Sequence, residues 1–526
     1  RKIFLELPEP TLEDNLSDLD RFERELNKIH KPSVLYTGLR NLQSLASIMR
    51  AADFKITATL ADRNSFAEVT RFEKGDTTGS NYGIAVDVGT TTVVADMIDL
   101  NAGKICGTAA SYNPQIRFGE DVISRIVYTQ ENDDGLRNLN RSIVKEINNL
   151  IEILIKECGT PLHDLNYMVC AGNTTMIHIL LGLQLSSIRR EPYIPVAGRP
   201  PVIRASDIGI KIGRGGLLNS LPGVGAYVGT DITAAVLASG MARDKAVSLL
   251  IDVGTNGEIV LGNNDWLICC SASAGPAFEG AGTQCGMRAT SGAIEKVRIF
   301  KDGKINLGII GGKESEILVE KIKDAPNKIK ARGICGSGYI ELVSELFSAG
   351  LIDRTGRFRT DNNNSRLLEG EDQLEFLLME KDRTAVGKDI VITESDIATL
   401  IRTKGSIFTA AEALVFHIGH SWPDVERVYI SGGFGNYLDI QRSINIGLLP
   451  DLPIEKYRFI GNGSIMGAQM CLLSRAAFQE AVKIAEGMTY FDLSTDPWFM
   501  REYTASLFLP HTDLKKFPTV PVQKES

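Results

Sequence analysis

The sequence predicts an α/β protein whose main part consists of two similar halves, preceded by a small α/β domain and a linker. A strand that ends in Asp-Val-Gly-Thr occurs twice, at Asp87–Thr90 and again at Asp252–Thr255. Further strands follow both copies in matching positions, which is typical of one supersecondary unit repeated along the chain. The chain has 526 residues, of which 43% are hydrophobic and 23% charged. This length and composition suit a globular protein of about three domains.

Composition and periodicity divide the chain into successive segments. Residues 1–30 carry alternating charge and early prolines before a polar helical pattern, so they are predicted to be a linker. Residues 31–80 show strand and helix patterns that predict a small α/β middle domain. The first half is predicted at residues 81–245 and the second at residues 246–477. Residues 478–526 are expected to form a C-terminal tail packed on these halves.

Charge and cysteine content exclude several classes of function. The net charge of −8 argues against nucleic acid as a partner, because no broad basic surface is available to neutralise phosphates. No run of about eighteen apolar residues and no signal peptide is present, so we expect no membrane span and a cytoplasmic location. The eight cysteines form no Cys-x-x-Cys pair. Buried, reduced thiols are therefore expected, rather than a zinc or iron–sulfur site within this chain.

The repeated Asp-Val-Gly-Thr segments predict two tight β-hairpins that bind an anion. Glycine lets the backbone turn close to a ligand, and successive N–H and hydroxyl groups can then point at one phosphate. The aspartates before the turns, Asp87 and Asp252, are hard oxygen ligands suited to Mg²⁺ or its water shell, and we predict that both are catalytic. The residues predicted to contact phosphate are Gly89, Thr90, Thr91 and Thr92 in the first hairpin, and Gly254, Thr255 and Asn256 in the second.

Two glycine-rich motifs follow, Ser431–Gly435 after a strand and Gly463–Gly467 at the start of a helix. With the two hairpins they resemble, in the same order, the motifs of the actin-like ATPase superfamily, which includes sugar kinases, heat-shock chaperones and actin. The resemblance covers about residues 81–475 and implies an actin-like fold that binds ATP and Mg²⁺ in a cleft between its two halves. A Walker-type P-loop pattern is absent, so that kind of site is excluded. The residues that the resemblance assigns to adenosine are Gly432, Gly433, Phe434 and Gly435.

Asp231 is a further candidate. It follows Gly-Thr at the start of a helix predicted over Asp231–Met241. Superfamily kinases place a catalytic aspartate there, so the resemblance implies a base or a water-orienting group near the γ-phosphate. A plain N-cap is the alternative interpretation, because aspartate suits that position well.

A finer resemblance is to the ATP-dependent reductive activators of corrinoid proteins, above all those that serve the corrinoid/iron–sulfur protein of the reductive acetyl-CoA pathway. The segments that carry it are Ala171–Met176, Ser273–Gly280, Gly286–Ala289, Gly333–Gly338 and Leu507–Asp513. The implied activity returns cobalt from inactive Co(II) to Co(I), with ATP driving an electron transfer that is otherwise uphill. The implied partner is that corrinoid protein, and a homodimer is compatible with the resemblance.

The same resemblance implies a plant-type 2Fe–2S domain as the source of the electron. Its Cys-x₄-Cys-x₂-Cys run is absent here. Because the chain starts at Arg1 rather than at methionine, and no cysteine follows Cys471, we expect that cluster in a domain upstream of Arg1.

The stretch Ser271–Ala293 is the candidate surface for coupling nucleotide to the corrinoid partner, since it follows the second hairpin and its small residues allow close approach. Within it, Ser291 offers a hydroxyl that could serve as a weak oxygen ligand to cobalt, and a packed loop without partner contact is the alternative. Glu279 could assist Mg²⁺ or water, or be a structural carboxylate.

Three other functions fit parts of the pattern. A small-molecule kinase of the same superfamily would transfer phosphate stoichiometrically. A chaperone-like ATPase would need a peptide-binding domain, for which the tail after Phe478 is too short. An activator ATPase of 2-hydroxyacyl-CoA dehydratases would need two cysteines at a dimer seam, where Cys269-Cys270 or Cys335 would have to hold a 4Fe–4S cluster.

Overall fold

The computed structural model divides into two compact units. The first unit comprises residues 1–234 and 464–483, and the second comprises residues 235–463 and 484–526. The structure describes residues 1–30, 34–63, 66–254, 256–280, 282–312, 317–319, 330–360, 364–432 and 438–521. The predicted site residues Thr255, Gly433, Phe434 and Gly435 lie outside the described residues, as does the side chain of Glu279.

The small domain at the start of the first unit is a four-stranded sheet with two helices. Its elements are β1 (Lys2–Glu6), α1 (Asp18–Ile29), β2 (Leu35–Thr37), α2 (Leu39–Ala51), β3 (Lys55–Asp62) and β4 (Ala67–Lys74), and the sheet order is β1-β3-β4-β2. Within residues 1–30, which the sequence analysis predicts to be a linker, β1 pairs antiparallel with β3. A five-residue strand beside prolines gives too short a pattern to be separated from a linker by composition.

A buried ionic cluster attaches the small domain to the first half. Asp164 accepts from Lys2 Nζ at 2.9 Å and from Ser80 Oγ at 2.6 Å, and Arg71 Nη2 lies 3.3 Å away. The side chains of Lys2 and Asp164 are 1% and 7% exposed, so the pair is shielded from water. Each charge stays buried only because the other compensates it.

The first half is built on a six-stranded sheet of order β7-β6-β5-β8-β10-β9, covered by α4. Apolar residues of α4 recur at helical spacing, among them Leu139, Ile143, Ile147 and Leu154, and all are buried. Its elements are β5 (Tyr82–Val88), β6 (Thr92–Asp99), β7 (Lys104–Tyr112), α3 (Val122–Glu131), α4 (Gly135–Cys158), β8 (Leu165–Gly172), α5 (Thr174–Leu181), α6 (Ser186–Arg189), β9 (Ile203–Arg204), β10 (Leu217–Ser220) and α7 (Thr230–Ser239).

The second half repeats that sheet. Its order is β22-β21-β11-β12-β13-β23, so β13-β12-β11-β21-β22 corresponds strand for strand to β7-β6-β5-β8-β10. In both sheets the first two strands of the repeat form an antiparallel hairpin, and the fourth strand lies parallel to the first. The strands are β11 (Ser248–Val253), β12 (Gly257–Gly262), β13 (Leu267–Ala272), β21 (Arg427–Ser431), β22 (Tyr457–Gly461) and β23 (Met488–Tyr490).

Two smaller sheets and the remaining helices follow, and residues 464–483 of α11 and α12 belong to the first unit. The sheet orders are β16-β15-β14-β17 and β18-β19-β20. The elements are β14 (Ala293–Ile299), β15 (Ile305–Ile309), β16 (Ile317–Leu318), β17 (Gly333–Ile334), α8 (Gly336–Ser348), β18 (Leu367–Glu369), β19 (Leu374–Met379), β20 (Ile390–Thr393), α9 (Glu394–His417), α10 (Ile440–Asn445), α11 (Gly463–Leu473), α12 (Arg475–Gly487) and α13 (Pro497–Ala505).

The last residues pack on the second unit. Strand β23 pairs in parallel with β13, and Lys404 of α9, which is 1% exposed, donates to the carbonyls of Phe508 and Pro510 at 2.5 and 2.6 Å. Burial lowers the pKa of Lys404 well below its usual value. Across the residues that the structure describes, no helix has the length and apolar character needed to cross a bilayer.

Candidate functional site

The first hairpin joins β5 to β6 with Val88 opposite Val93, so four residues form the turn. Gly89 is required there, because a Cβ on it would lie 2.4 Å from the carbonyl oxygen of Thr92. The predicted contact residues Gly89, Thr90, Thr91 and Thr92 are all half-buried. They lie together in this turn as the sequence predicts, at the end of a buried strand.

Two side chains that the sequence analysis did not single out hold the turn. Asn113 Nδ2 donates to the carbonyl of Gly89 at 2.9 Å, and the Asn113 backbone N–H donates to the carbonyl of Thr91 at 2.9 Å. Arg125, on α3, donates from Nη2 to the carbonyl of Thr90 at 2.7 Å. Three successive carbonyls of the turn are thus bound by two residues, which are 1% and 0% exposed.

Asp87 stands at the end of β5. Its Oδ1 accepts a hydrogen bond of 2.8 Å from the hydroxyl of Ser464, in the first turn of α11. This contact joins two of the motifs that the sequence singles out, the first hairpin and the glycine-bounded helix. Asp87 itself is half-buried, so a carboxylate oxygen can still reach solvent or a ligand.

Asp231 lies at the end of the same sheet. Helix α7 begins at Thr230, whose hydroxyl bonds to both the N–H and the carbonyl of Gly172, at 2.8 and 2.9 Å. These bonds tie the start of α7 to the end of β8, where Asn173 caps α5. A Cβ on Gly229 would lie 2.8 Å from Asp231 Oδ1 and 2.8 Å from the Cα of Asn173, which shows how closely the two strand-to-helix turns approach. Asp231 Oδ1 also accepts from the N–H of Ile232 at 2.9 Å.

The second hairpin joins β11 to β12 with Val253 opposite Gly257, so its turn has three residues, one fewer than the first. Gly254 N–H donates to the carbonyl of Asn256 at 3.1 Å. Asp252 accepts a short hydrogen bond from the hydroxyl of Ser431, which lies directly beside it on β21. A Cβ on Gly432 would lie 2.6 Å from the carbonyl oxygen of Val253, so only glycine lets this strand end approach the hairpin so closely.

A row of polar side chains crosses the second sheet at this level. Ser431 pairs with Asp252, Asp252 with Glu258, and Glu258 with Ser271. Directly paired residues share one face of a sheet, with Cβ atoms about 5 Å apart. Glu258 is only 7% exposed, and sequence reasoning missed it. Its position six residues after Asp252, across a three-residue turn, is the signal that could have found it.

The coupling stretch predicted at Ser271–Ala293 runs from β13 to β14. Ser291 is exposed in the turn before β14, next to Gly292, which has a φ of +92°. Among the residues that the structure describes, Ser291 makes no hydrogen bond to the second hairpin. The structure therefore places it on the surface and does not join it to the nucleotide motifs.

The cysteines considered for a cluster at a dimer seam are buried. Cys269, Cys270 and Cys335 are at most 1% exposed. Burial raises the pKa of Cys269 to about 12 and that of Cys270 well above its usual value, and it also raises the pKa of Cys335. Iron is ligated by thiolates, so protonated, buried thiols do not suit a shared surface cluster.

Glu412, Glu502 and His511 bring three ligand-type atoms within 4.8 Å of one another. Lys516 Nζ occupies the place of a cation, because it lies 2.8 Å from Glu412 and also contacts Glu502. His511 Nδ1 accepts from the N–H of Asp513 at 2.9 Å, so the neutral ring carries its proton on Nε2, facing Glu502. These residues form an ion pair cluster of the tail rather than a metal site.

Comparison with known proteins identifies the family. Sequence models match in three consecutive parts, the RACo linker region at residues 1–79, the RACo middle region at residues 82–244, and the C-terminal domain of RACo, the ASKHA domain, at residues 246–521. The solved structure of a reductive activator for corrinoid, iron–sulfur protein superposes with a TM-score of 0.90 at 42% identity, over 99% of this chain and 80% of that one.

Two curated proteins agree with this. The corrinoid activation enzyme RamQ of Eubacterium limosum is 36% identical over 80% of this chain and 69% of its own length. A Co(II) methylated amine-specific corrinoid protein reductase of Methanosarcina barkeri is 26% identical over 81% of this chain and 76% of its own length. The predicted actin-like fold and the predicted family are both confirmed. The chain belongs to the RACo family and consists of its linker region, its middle region and its C-terminal ASKHA domain.

Proposed function

We propose that this chain is the ATP-driven part of a reductive activator that returns the cobalt of a corrinoid protein from Co(II) to Co(I). The observation that carries the proposal is the similarity to a corrinoid activator over 99% of this chain. The proposed partner is a corrinoid/iron–sulfur protein. The electron is proposed to come from a 2Fe–2S cluster carried by another domain, in keeping with the burial of Cys269, Cys270 and Cys335 in this chain.

We propose that ATP and Mg²⁺ are bound by residues of the two hairpins. The side chains present fit this role, since half-buried carboxylates at strand ends and tight glycine turns supply oxygen ligands and N–H donors. Asp87 and Asp252, the latter beside Glu258, would hold the ion through its water shell. The ion supplies charge neutralisation at the β- and γ-phosphates. Gly432 to Gly435 are proposed to contact the adenosine.

Asp231 is proposed to accept the proton of the attacking water. It stands in the first turn of α7, where its carboxylate is a candidate general base. Thr230 and Asn173 fix the backbone around it, which limits the geometries that the carboxylate can adopt. The chemistry of phosphoryl transfer depends mainly on such positioning.

ATP is proposed to act by changing the affinity of the activator for two states of the corrinoid protein. The shift cannot exceed the difference in binding free energy between those states. The stretch Ser271–Ala293 is proposed as the contact surface, with the exposed Ser291 hydroxyl as a weak oxygen ligand to cobalt. An oxygen ligand that is gained in one state and lost in the other would alter how readily Co(II) accepts an electron.

The test mixes this chain, a Co(II) corrinoid/iron–sulfur protein, a low-potential chemical reductant and Mg-ATP, and follows the absorbance of Co(I). We expect Co(I) to form faster with ATP than without it, and the Asp231→Asn variant to lose most of that gain. Asp99→Asn is the matched control, because Asp99 lies at the far end of β6. Equal rates with and without ATP would contradict the proposal, and transfer of phosphate to a small molecule would favour a kinase instead.

A further inference from the structure

A buried arginine lies directly behind the first hairpin. Arg125 is 0% exposed and uses three of its nitrogens within the first half. Besides the bond to Thr90, Nε donates to the carbonyl of Gly119 at 3.0 Å, and Nη1 lies 3.2 Å from Gln115 Oε1 and 2.9 Å from Met176 Sδ. All of these partners are neutral. A structural arginine at this depth is ordinarily paired with a carboxylate, which makes this environment unusual.

Asp121 is the acidic residue whose charge influences Arg125, and its carboxylate is engaged elsewhere. Asp121 caps α3 by accepting from the N–H of Ser124 at 2.7 Å. Burial lowers the pKa of Arg125 to about 10, so the guanidinium still carries its charge at neutral pH. A buried cation whose hydrogen bonds all go to neutral acceptors leaves a positive potential in its surroundings. Within the proposed site, the turn of the first hairpin lies closest to this positive potential.

Peptide geometry gives the direction in which the turn presents its donors. In a planar trans peptide the carbonyl and the following N–H point to opposite sides. The carbonyls of Gly89, Thr90 and Thr91 point inward, to Asn113 and Arg125. The N–H groups of Thr90, Thr91 and Thr92 are therefore directed to the opposite side, away from those two buried residues, as in the backbone nests that bind phosphate.

We propose that Arg125 and Asn113 are positioning residues for phosphate: they fix three turn carbonyls so that the following N–H groups face the anion, and Arg125 adds a buried positive charge behind them. The inference rests on the proposed function, because it presumes that the first hairpin binds the phosphates of ATP. Met176, from the segment Ala171–Met176, contacts the same guanidinium, which gives that sequence motif a physical role in supporting the turn.

The experiment measures dissociation constants of Mg-ATP, Mg-ADP and adenosine by calorimetry, for the wild-type chain and for Arg125→Met, Arg125→Lys and Asn113→Ala. Loss of a charged hydrogen bond and a buried charge should weaken Mg-ATP by about ten- to a hundredfold in Arg125→Met. Adenosine should bind within about twofold of wild type, because it has no phosphate to meet the turn. Arg125→Lys keeps the charge, so its affinity for Mg-ATP should fall between those of wild type and Arg125→Met. Asn113→Ala should weaken the binding of Mg-ATP several-fold.

Arg21→Met is the matched control, because Arg21 is equally buried, lies in the small domain of the same unit, and pairs with Asp14 at 2.6 Å. We expect it to lower the melting temperature and to leave the affinity for Mg-ATP unchanged. Parallel losses for ATP and adenosine in Arg125→Met, or no loss for either, would overturn the inference and leave the proposed function standing. If Arg125→Met does not fold, the inference is tested on Arg125→Lys and Asn113→Ala, again by comparing the loss of affinity for Mg-ATP with the loss of affinity for adenosine. A wild-type chain that binds no ATP would instead overturn the proposed function itself.

Discussion

The two hairpins carry the same four residues but stand in different chemical surroundings. In the second sheet, the row at the level of Asp252 consists of Ser431, Asp252, Glu258 and Ser271. In the first sheet, the corresponding row at the level of Asp87 is Ala171, Asp87, Val94 and Ala110. One row therefore presents two neighbouring carboxylates and two hydroxyls, and the other presents a single carboxylate among apolar side chains.

The supports of the two turns differ as well. Three carbonyls of the four-residue first turn are bound by two buried residues: Asn113 uses its side chain and its backbone N–H, and Arg125 uses its side chain. The second turn is one residue shorter, and its aspartate is bound by Ser431 from the neighbouring strand. The repeat in the sequence thus predicts two turns that can each bind an anion. The partners that each strand has across its sheet differ between the two copies, and we therefore expect the second hairpin to be the better suited of the two to hold Mg²⁺ and water.

Removing either aspartate should give the largest effect and the clearest test of this difference. In Asp252→Asn we expect Mg-dependent ATP hydrolysis to fall about 10²- to 10³-fold, because a charged group at the centre of a preorganised site is lost. Asp87→Asn should cost about tenfold, since only one charged contact changes. Steady-state phosphate release measures both, and equal losses in the two variants would break the asymmetry proposed here.

Glu258→Gln examines the second carboxylate directly. Carboxylates on directly paired residues, whose Cβ atoms are about 5 Å apart, repel each other unless a cation lies between them. The variant should therefore bind Mg²⁺ more weakly, raising the Mg²⁺ concentration at which ATP hydrolysis is half-maximal about tenfold. Glu369→Gln, the same change at an exposed position elsewhere in the second unit, serves as the control. An unaltered Mg²⁺ titration for Glu258→Gln would remove Glu258 from the site.

The serine partners should give smaller, more evenly matched effects. Ser464→Ala and Ser431→Ala each remove one hydroxyl that donates to a carboxylate. Such a bond in a partly exposed position is worth about 1 kcal/mol, so each variant should lose about three- to tenfold in affinity for Mg-ATP. Calorimetric titration of the two variants side by side sharpens the comparison, because Ser431 belongs to the polar row whereas Ser464 reaches Asp87 from a helix. A loss confined to one variant would show that only that hydroxyl contributes.

The two units also differ in how burial affects an ionisable side chain, and this difference predicts that the stability of the protein depends on pH. In the first unit a buried arginine keeps its charge, while in the second unit burial, reinforced by Asp439, raises the pKa of Glu341 on α8 to about 7. The folded carboxyl group thus keeps its proton to higher pH than the unfolded one. Stability from this group is greatest below pH 4.5 and declines as the pH rises to about 7.

Glu341→Gln should reduce the decline in stability between pH 4.5 and about pH 7. At pH 8 it should stabilise the protein by about 1–2 kcal/mol, once screening of a partly exposed carboxylate beside Arg442 is allowed for. Thermal unfolding between pH 5 and pH 8 measures the effect, with the exposed Glu371→Gln as control. If the stability of the wild-type protein rises with pH through this range, other ionisable groups dominate its pH dependence.

How far the sequence could predict the site follows from what each contact depends on. Asp87, Asp252 and the turn glycines belong to a local pattern that a repeat makes visible. Glu258 depends on the register of a hairpin, which needs the turn length as well as the pattern. Arg125 and Asn113 reach the turn from 35 and 24 residues away, so no local periodicity could reveal them. The predicted domain bounds stay a prediction.

Strand β8 makes contacts at both of its ends within the first unit. Asp164, which binds Lys2 and Ser80 of the small-domain junction, directly precedes its first residue, and Gly172 and Asn173 at its other end adjoin Thr230. Eight residues of strand span about 26 Å, and a strand in the middle of a sheet resists both stretching and bending. One continuous strand therefore joins the junction with the small domain to the start of α7.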